Sequence, residues 1–391
     1  MNIPVNSERL ARNFIELCEI ESPSREEGRI AARLKEIFTR LGAESIYEDN
    51  SAAATGSESG NLIIHFPGRG SKAEEKGFFL SSHMDTVRPC AGVKVVRKDD
   101  RFTSLGNTIL GGDDKSGLAA IIELLEILRE NELEHPPLEL LITTCEELGL
   151  LGATALEYDK IRSPYGYVLD ANGINTVIVQ APAACKFEIT VHGRAAHAGM
   201  APEKGVNALM LAAKALAPLS TGRIGNNSTR NFGHIEGGVA FNIIPDEVKI
   251  LGEVRSLNND MLPVYLDEIT TSFQSVINAW LPTKETVGFH PSFTFKQPGH
   301  YPALKLSGES EVLERVRTAE RMLDRTITET IGGGGSDANI LSHNGLPTAV
   351  LSTGMAAVHT VEENITLKDM VAVTEILVAL ATAEQHCPRT T

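Results

Sequence analysis

Residues 78–85 read FFLSSHMD, and this stretch decides how the rest of the chain is interpreted. Phe78 to Ser82 is a short, apolar, β-prone run of the kind that becomes a buried strand, and it delivers His83 and Asp85 at its end rather than in its middle. In extended chain, residues two apart project to the same side, so the two side chains face one place. His83 then suits a metal ligand. Asp85 suits the role of taking the proton on the other ring nitrogen, which fixes the nitrogen that faces the metal. By itself the pair serves equally well as a strand-end histidine and a turn aspartate.

Outward from this run, strands and helices alternate. Arg9 to Ile20 has helical periodicity, and Glu21-Ser22-Pro23 breaks it. Ser24 with Glu27 three residues on predicts a capping box opening a second helix to about Leu41. Strands are predicted at Asn61 to Phe66, Leu138 to Thr144 and Tyr167 to Leu169, and a helix from Leu118 to about Leu128. A further helix follows the Glu146-Glu147 pair. This alternation predicts an α/β fold, a mainly parallel sheet with helices on both faces. Ligands gather beyond the carboxyl ends of such strands. The runs ending at His83, at Glu146-Glu147 and at Asp170 all stop on a histidine or a carboxylate.

From about Ala181 the pattern changes. Lys186 to His192 alternates apolar and polar, a helix spans Val206 to Leu216, strands fall near His234–Ile235 and Glu247 to Val254, a helix runs from Met261 to about Ala279, and a strand covers Phe289 to Phe295. The order βαββαβ predicts an inserted α+β unit. Expected domain limits are 1–180 and 299–391 for the larger unit and 181–298 for the insertion. After it come helices at Glu309 to Leu323, Ala338 to His343 and Leu367 to Glu384, with a strand at Thr348 to Leu351.

At 391 residues the chain exceeds one ordinary core, consistent with two units. A net charge of −15 argues against nucleic acid or an acidic membrane leaflet as partner. No apolar run reaches bilayer-spanning length and no basic-then-apolar leader opens the chain, so a cytoplasmic location is expected. Cys18, Cys90, Cys145, Cys185 and Cys387 are scattered, odd in number and without a CxxC pair, as reduced thiols would be. Cys145 reads as a small buried spacer beside the acidic doublet.

His83, Asp113, Glu146, Glu147, Asp170 and His359 are the candidates for chemistry. Two histidines and three carboxylates, one of them shared, give each of two metal ions three protein ligands and leave positions open for water and substrate. Two dications, three carboxylates and one hydroxide sum to zero charge. Zinc suits these donors, and Co2+ or Mn2+ accept the same set. Neighbouring residues do not easily point at one spot, so Glu147 is expected on metal and Glu146 on the water between the ions, as general base. Alone, the doublet is also an ordinary acidic helix start.

Together, HMDTV at 83–87, GGDDKSG at 111–117, EELGLLG at 146–152, Asp170 and His359 resemble the M20 family of dizinc peptidases and deacylases, nearest to its peptidase T (tripeptide aminopeptidase) branch. The resemblance implies a zinc-exopeptidase fold with one ion on His83, Asp113 and Asp170 and the other on Asp113, Glu147 and His359. Asp113 would bridge, Asp85 would orient His83 and Glu146 would be the base. HGRAAHAGMAPEKGVNA at 192–208 resembles the family's lid and dimerisation domain, which implies a homodimer with His197 stabilising the oxyanion in the partner's site. FNIIPDEVKILGEVRS at 241–256 implies Asn242 and Arg255 as grips on substrate, Arg255 by its carboxylate-matching fork. GGGGSDAN at 332–339 resembles the substrate loop, with Ser336 or Asp337 in contact with peptide. The implied activity is removal of N-terminal residues from short peptides. An N-acyl-amino-acid deacylase or carboxypeptidase is the alternative, and a non-catalytic metal-dependent binding protein a remoter one.

Overall fold

A computed structural model describes residues 5–384; residues 1–4 and 385–391, with Cys387, lie outside the described part. Residues up to Ala181 and from Leu304 onward form one unit, and Pro182–Ala303 forms another. The second boundary falls after Ala303 rather than 298. Strand Ser292–Tyr301 continues through Pro298, slipping register between Lys296 and Gly299. Proline is tolerated there because the strand is at the sheet's edge.

Among the described residues, the larger unit holds a nine-stranded sheet. Its order is Ser45–Glu48, Leu62–Phe66, Leu138–Thr143, Phe78–His83, Gly166–Ala171, Thr348–Ser352, Thr176–Ala181 and Leu304–Lys305, with Thr328–Ile331 also paired to Thr176–Ala181. The four central strands from Leu138–Thr143 to Thr348–Ser352 are parallel, and the flanks are mostly antiparallel. This is the predicted mainly parallel core. Alternation along each strand feeds two apolar layers. Phe78, Leu80, Leu140, Tyr167 and Leu351 pack with helices Ser7–Cys18, Gly112–Glu130 and Leu367–Thr382, whereas Phe79, Leu141, Val168 and Val350 pack on the opposite face with Ala338 and Leu341. A separate antiparallel ribbon, Val95–Lys98, Arg101–Ser104 and Asn364–Thr366, has no counterpart in the expectations.

Two local expectations are corrected. The second helix spans Gly28–Leu41 with Glu27 at its N-cap and no side-chain cap bond, so the Ser24/Glu27 capping box is absent. Both side chains are committed elsewhere: the Ser24 hydroxyl donates to Asp85 Oδ2 at 2.7 Å, and Glu27 Oε1 accepts the Cys145 N–H at 3.0 Å. The helix expected after Glu146-Glu147 is only a 3-10 turn, Glu146–Leu148, and one α turn, Leu151–Thr154.

The inserted unit is a five-stranded antiparallel sheet in the order Gly222–Gly225, Ser228–Gly237, Glu247–Ser256, Ala183–His192, Ser292–Tyr301. Helices Ala208–Leu216 and Met261–Ala279 pack on it through Phe187, Ile189, Val191, Ile250, Leu211 and Phe273. The order is βαβββαβ rather than βαββαβ. The extra strand, Gly222–Gly225, hairpins back across Asn226-Asn227, a short-turn signal that the sequence reading passed over.

Candidate active site

Strand Phe78–His83 is central and fully buried, pairing in parallel with Leu138–Thr143 and Gly166–Ala171. Its carboxyl end therefore places His83 beside Thr143 and next to the exit of the strand carrying Asp170. Asp170 sits inside its strand rather than just beyond it, because pairing with Thr348–Ser352 extends the strand to Ala171. After Thr143 the chain turns sharply: Cys145 is left-handed at φ 51°, and the 3-10 turn starts at Glu146. Gly152, closing EELGLLG, packs so tightly that a Cβ would sit 2.0 Å from the Thr144 carbonyl oxygen. Helix Gly112–Glu130 begins irregularly, with Asp113 and Asp114 outside helical φ/ψ, which frees the Asp113 carboxylate from the helix surface.

These elements bring the six predicted residues together. Asp113 reaches both histidines: Oδ1 lies 3.0 Å from His83 Nε2, and Oδ2 lies 3.1 Å from His359 Nε2. His359 Nε2 is also 2.9 Å from Glu147 Oε1. Ligand atoms of His83, Asp113 and Asp170 lie within 4.8 Å of one another, as do those of Asp113, Glu147 and His359. A third group at the same spacing joins His83 to both Glu146 and Glu147. The doublet thus converges where the sequence reading expected it to diverge, both carboxylates coming near His83 from the 3-10 turn that follows the left-handed Cys145.

Asp85 does more than face His83. Its Oδ1 accepts the Glu146 N–H at 3.0 Å and its Oδ2 accepts the Glu147 N–H at 3.2 Å and the Ser24 hydroxyl. His83 Nδ1 lies 3.0 Å from the Asp85 backbone oxygen and 3.4 Å from its carboxylate. Either acceptor holds a proton on Nδ1, so that in the neutral ring Nε2 carries the lone pair that a metal would take. Ser24, Glu27, Asp114 and Glu363 are supporting residues that the sequence reading missed. Ser24 and Glu27 are claimed locally by the capping-box spacing, Asp114 lies inside GGDDKSG beside the more prominent Asp113, and Glu363 is a single polar residue on a loop that no periodicity or short motif marks.

Burial and crowding set the charges. Burial would raise Asp113, yet the two imidazoles His359 and His83 hold its carboxyl well below the usual range. Burial, then neighbouring Asp170, pushes Glu146 well above that range, and burial, then Asp113, does the same to Asp170. Asp113 and Glu147 lift His359 to about 10. His83 is raised as well, its contacts with Asp113 and Asp85 outweighing burial. The carboxyl groups gathered here, Asp113, Glu146, Glu147 and Asp170, outnumber the two imidazoles among them. Oxygen and nitrogen donors at this spacing fit a pair of divalent cations.

The other predicted residues are placed as follows. Ser336 and Asp337 open helix Asp337–His343 in the larger unit, 5% and 1% exposed. Asp337 turns inward, accepting the Thr143 hydroxyl at 2.5 Å, and burial lifts its carboxyl to about 6. It therefore packs behind the strand ends instead of presenting itself on a loop surface. In the inserted unit, His197 is exposed and its Nδ1 accepts the N–H groups of Gly199 and Met200 at 3.2 and 3.1 Å. In the neutral ring the proton is then on Nε2, an outward donor. Asn242 is exposed, and its carbonyl accepts the Ala198 N–H at 2.9 Å. The Arg255 fork already holds Glu253, at 2.9 and 3.1 Å, so a substrate carboxylate would have to compete with that pair.

Residues 182–280 match the M20 Peptidase dimerisation domain, and residues 61–180 match Peptidase family M28. The uncharacterized protein YqjE of Bacillus subtilis is 37% identical over 377 residues, covering 96% of this chain and 98% of that protein. The crystal structure of aminopeptidase PepT from Bacillus cereus superposes with a TM-score of 0.86 at 37% identity, covering 97% of this chain and 98% of that one. A tripeptidase from Staphylococcus aureus gives a TM-score of 0.89 at 32% identity over the same shares. The M28 match is confined to the part bearing most of the candidate ligands, whereas the likeness to these proteins runs through the whole chain.

Proposed function

Because the chain belongs to the M20 family of metallopeptidases, in its peptidase T-like branch, and is a hydrolase, we propose that it removes N-terminal residues from short peptides, tripeptides foremost, using a pair of divalent cations. The observation that carries this reading is the Asp113 carboxylate, poised with one oxygen toward His83 and the other toward His359. His83, Asp113 and Asp170 would hold one cation, and Asp113, Glu147 and His359 the other. Zinc is the proposed metal, with Co2+ or Mn2+ as substitutes.

When bound, such a pair supplies Lewis acidity toward the scissile carbonyl and lowers the pKa of the attacking water. Glu146 takes the proton from that water and returns it to the leaving amine; it is nearly buried, and the Asp85 bond to its N–H aims it. His197, with its proton on Nε2, would donate to the developing oxyanion of the partner copy's site, a contribution of about 2.7 to 4 kcal/mol for one such donor. The dimerisation-domain match supports a homodimer. Mixing His197→Ala with Glu146→Ala protein should restore part of the activity through hybrid dimers.

The reaction is tested by incubating zinc-loaded protein with tripeptides and their N-acetylated forms. Release of the first residue from free tripeptides alone is the expected result. Cleavage of the blocked peptides alone would transfer the assignment to an N-acyl-amino-acid deacylase or carboxypeptidase.

A further inference from the structure

Glu363 is 1% exposed and belongs to none of the three ligand groups. Its carboxylate is committed to backbone: Oε2 accepts the Gly111 N–H at 2.8 Å and Oε1 accepts the Asp113 N–H at 2.9 Å. These amides flank the entry to helix Gly112–Glu130, whose N-cap, Gly111, is left-handed at φ 78° and has no side chain to cap with. Glu363 stands where a capping side chain would, at the positive end of the helix. Space there is tight, since a Cβ on Gly112 would lie 3.1 Å from Glu363 Oε1.

Unlike a local cap, this one comes from 250 residues away along the chain. It lies on the loop that bears His359. That loop is closed at its neck by Ala356 N–H to Asn364 O at 2.9 Å and Asn364 N–H to Ala356 O at 3.0 Å. Asn364 then enters the ribbon strand paired with Arg101–Ser104. One closed loop therefore carries His359 near its tip and Glu363 at its base, and Glu363 fastens the loop to the segment whose Asp113 faces His359 across 3.1 Å.

We propose that Glu363 is a positioning residue that sets the spacing of Asp113 and His359, and that its loss weakens the cation held by Asp113, Glu147 and His359 before the one held by His83, Asp113 and Asp170. The asymmetry follows from what supports each set. His83 and Asp170 stand on two adjacent strands of the central sheet, whereas Glu147 and His359 stand on turns. A glutamine at 363 has one acceptor oxygen for two N–H donors, and its own NH2 would confront the second.

This inference rests on the two-cation reading, and the experiment separates the two. Zn2+ is titrated calorimetrically into chelator-stripped full-length protein, wild type and Glu363→Gln, with Co2+ visible absorption as a second readout. Wild type is expected to take two ions. Glu363→Gln should keep one near wild-type affinity and bind the other about 10- to 100-fold more weakly, with only one set of cobalt bands altered. Should that chain fail to fold, Glu363→Asp, which keeps the charge and withdraws it by one methylene, gives the same reading. Unchanged affinities at both sites, or an equal fall at both, overturns the role of Glu363. A wild type that binds fewer than two ions overturns the two-cation reading itself, and this inference with it.

Discussion

Asp85→Asn separates two roles that one carboxylate combines. The substitution keeps shape and removes charge. In the wild type, Oδ1 serves the Glu146 N–H and Oδ2 serves the Glu147 N–H and the Ser24 hydroxyl. An asparagine has one acceptor oxygen, so whichever way it flips, one buried N–H meets an NH2 group. With the oxygen toward Glu146, Ser24 can rotate to accept, and the Glu147 N–H is left unpaired at a cost of about 1 to 3 kcal/mol. Weakening the remaining charge-assisted bonds brings the total to roughly 2 to 4 kcal/mol against folding. His83 fares better, because the nearer acceptor of its Nδ1 proton is the backbone oxygen of residue 85, which the substitution leaves in place. Zinc affinity should therefore fall by no more than about 10-fold, the low end for loss of a supporting hydrogen bond. The turn that aims Glu146 and Glu147 loses its anchor, and a displacement near 1 Å there costs on the order of 100-fold in kcat. Zinc calorimetry, denaturant melts of the metal-free protein and steady-state kinetics on a tripeptide measure the three quantities. If zinc affinity collapses by more than about 100-fold while kcat of the zinc-saturated variant stays normal, Asp85 acts on the imidazole alone, and its assigned hold on the doublet is wrong.

Glu146→Gln should lower kcat by about 100- to 10,000-fold with metal content, by atomic absorption, unchanged; surviving activity would remove Glu146 as the base. Loading zinc at pH 7 should release at least one proton per chain, because Asp113 and Glu147 lift His359 to about 10 in the metal-free protein, and His83 and Asp170 are raised as well. Calorimetry in buffers of differing ionisation enthalpy reads this number, and a buffer-independent heat would contradict it. Asp337 is raised from 3.8 to about 6 by burial, so the folded chain retains a proton between those values that the unfolded chain has lost. Metal-free protein should therefore lose stability as pH rises through that window, by up to about 3 kcal/mol, and Asp337→Asn should flatten the loss in urea melts at pH 4 to 7.

The central architecture was legible because burial on both faces leaves continuous apolar runs, and such runs at Phe78 and Leu138 admit few other readings. The convergence of the proposed cation ligands was legible for a related reason, since a parallel sheet puts its strand ends on one rim and three strands run out at or near chemically distinctive residues. What escaped was nonlocal. Ser24 and Glu27 have the spacing of a capping box, yet a 2.7 Å bond to Asp85 and a 3.0 Å bond from Cys145 outcompete the local pairing. The ribbon of Val95–Lys98, Arg101–Ser104 and Asn364–Thr366 joins segments of three or four residues, too short to establish a period. The convergence of Glu146 and Glu147 goes with a 3-10 turn entered through a left-handed cysteine, a backbone path that side-chain pattern does not encode.

Strand Thr348–Ser352 lies between Gly166–Ala171 and Thr176–Ala181, two strands that neighbour each other in sequence yet do not pair. As the chain leaves the ribosome, those two must wait, with a slot between them, until the entire insertion has been synthesised. Their exposed edges during that interval are a template for mispairing, so newly made protein faces its greatest aggregation hazard late in translation. A nascent chain stalled before residue 348 should therefore bind holdase chaperones, and should let go once that last central strand slides home.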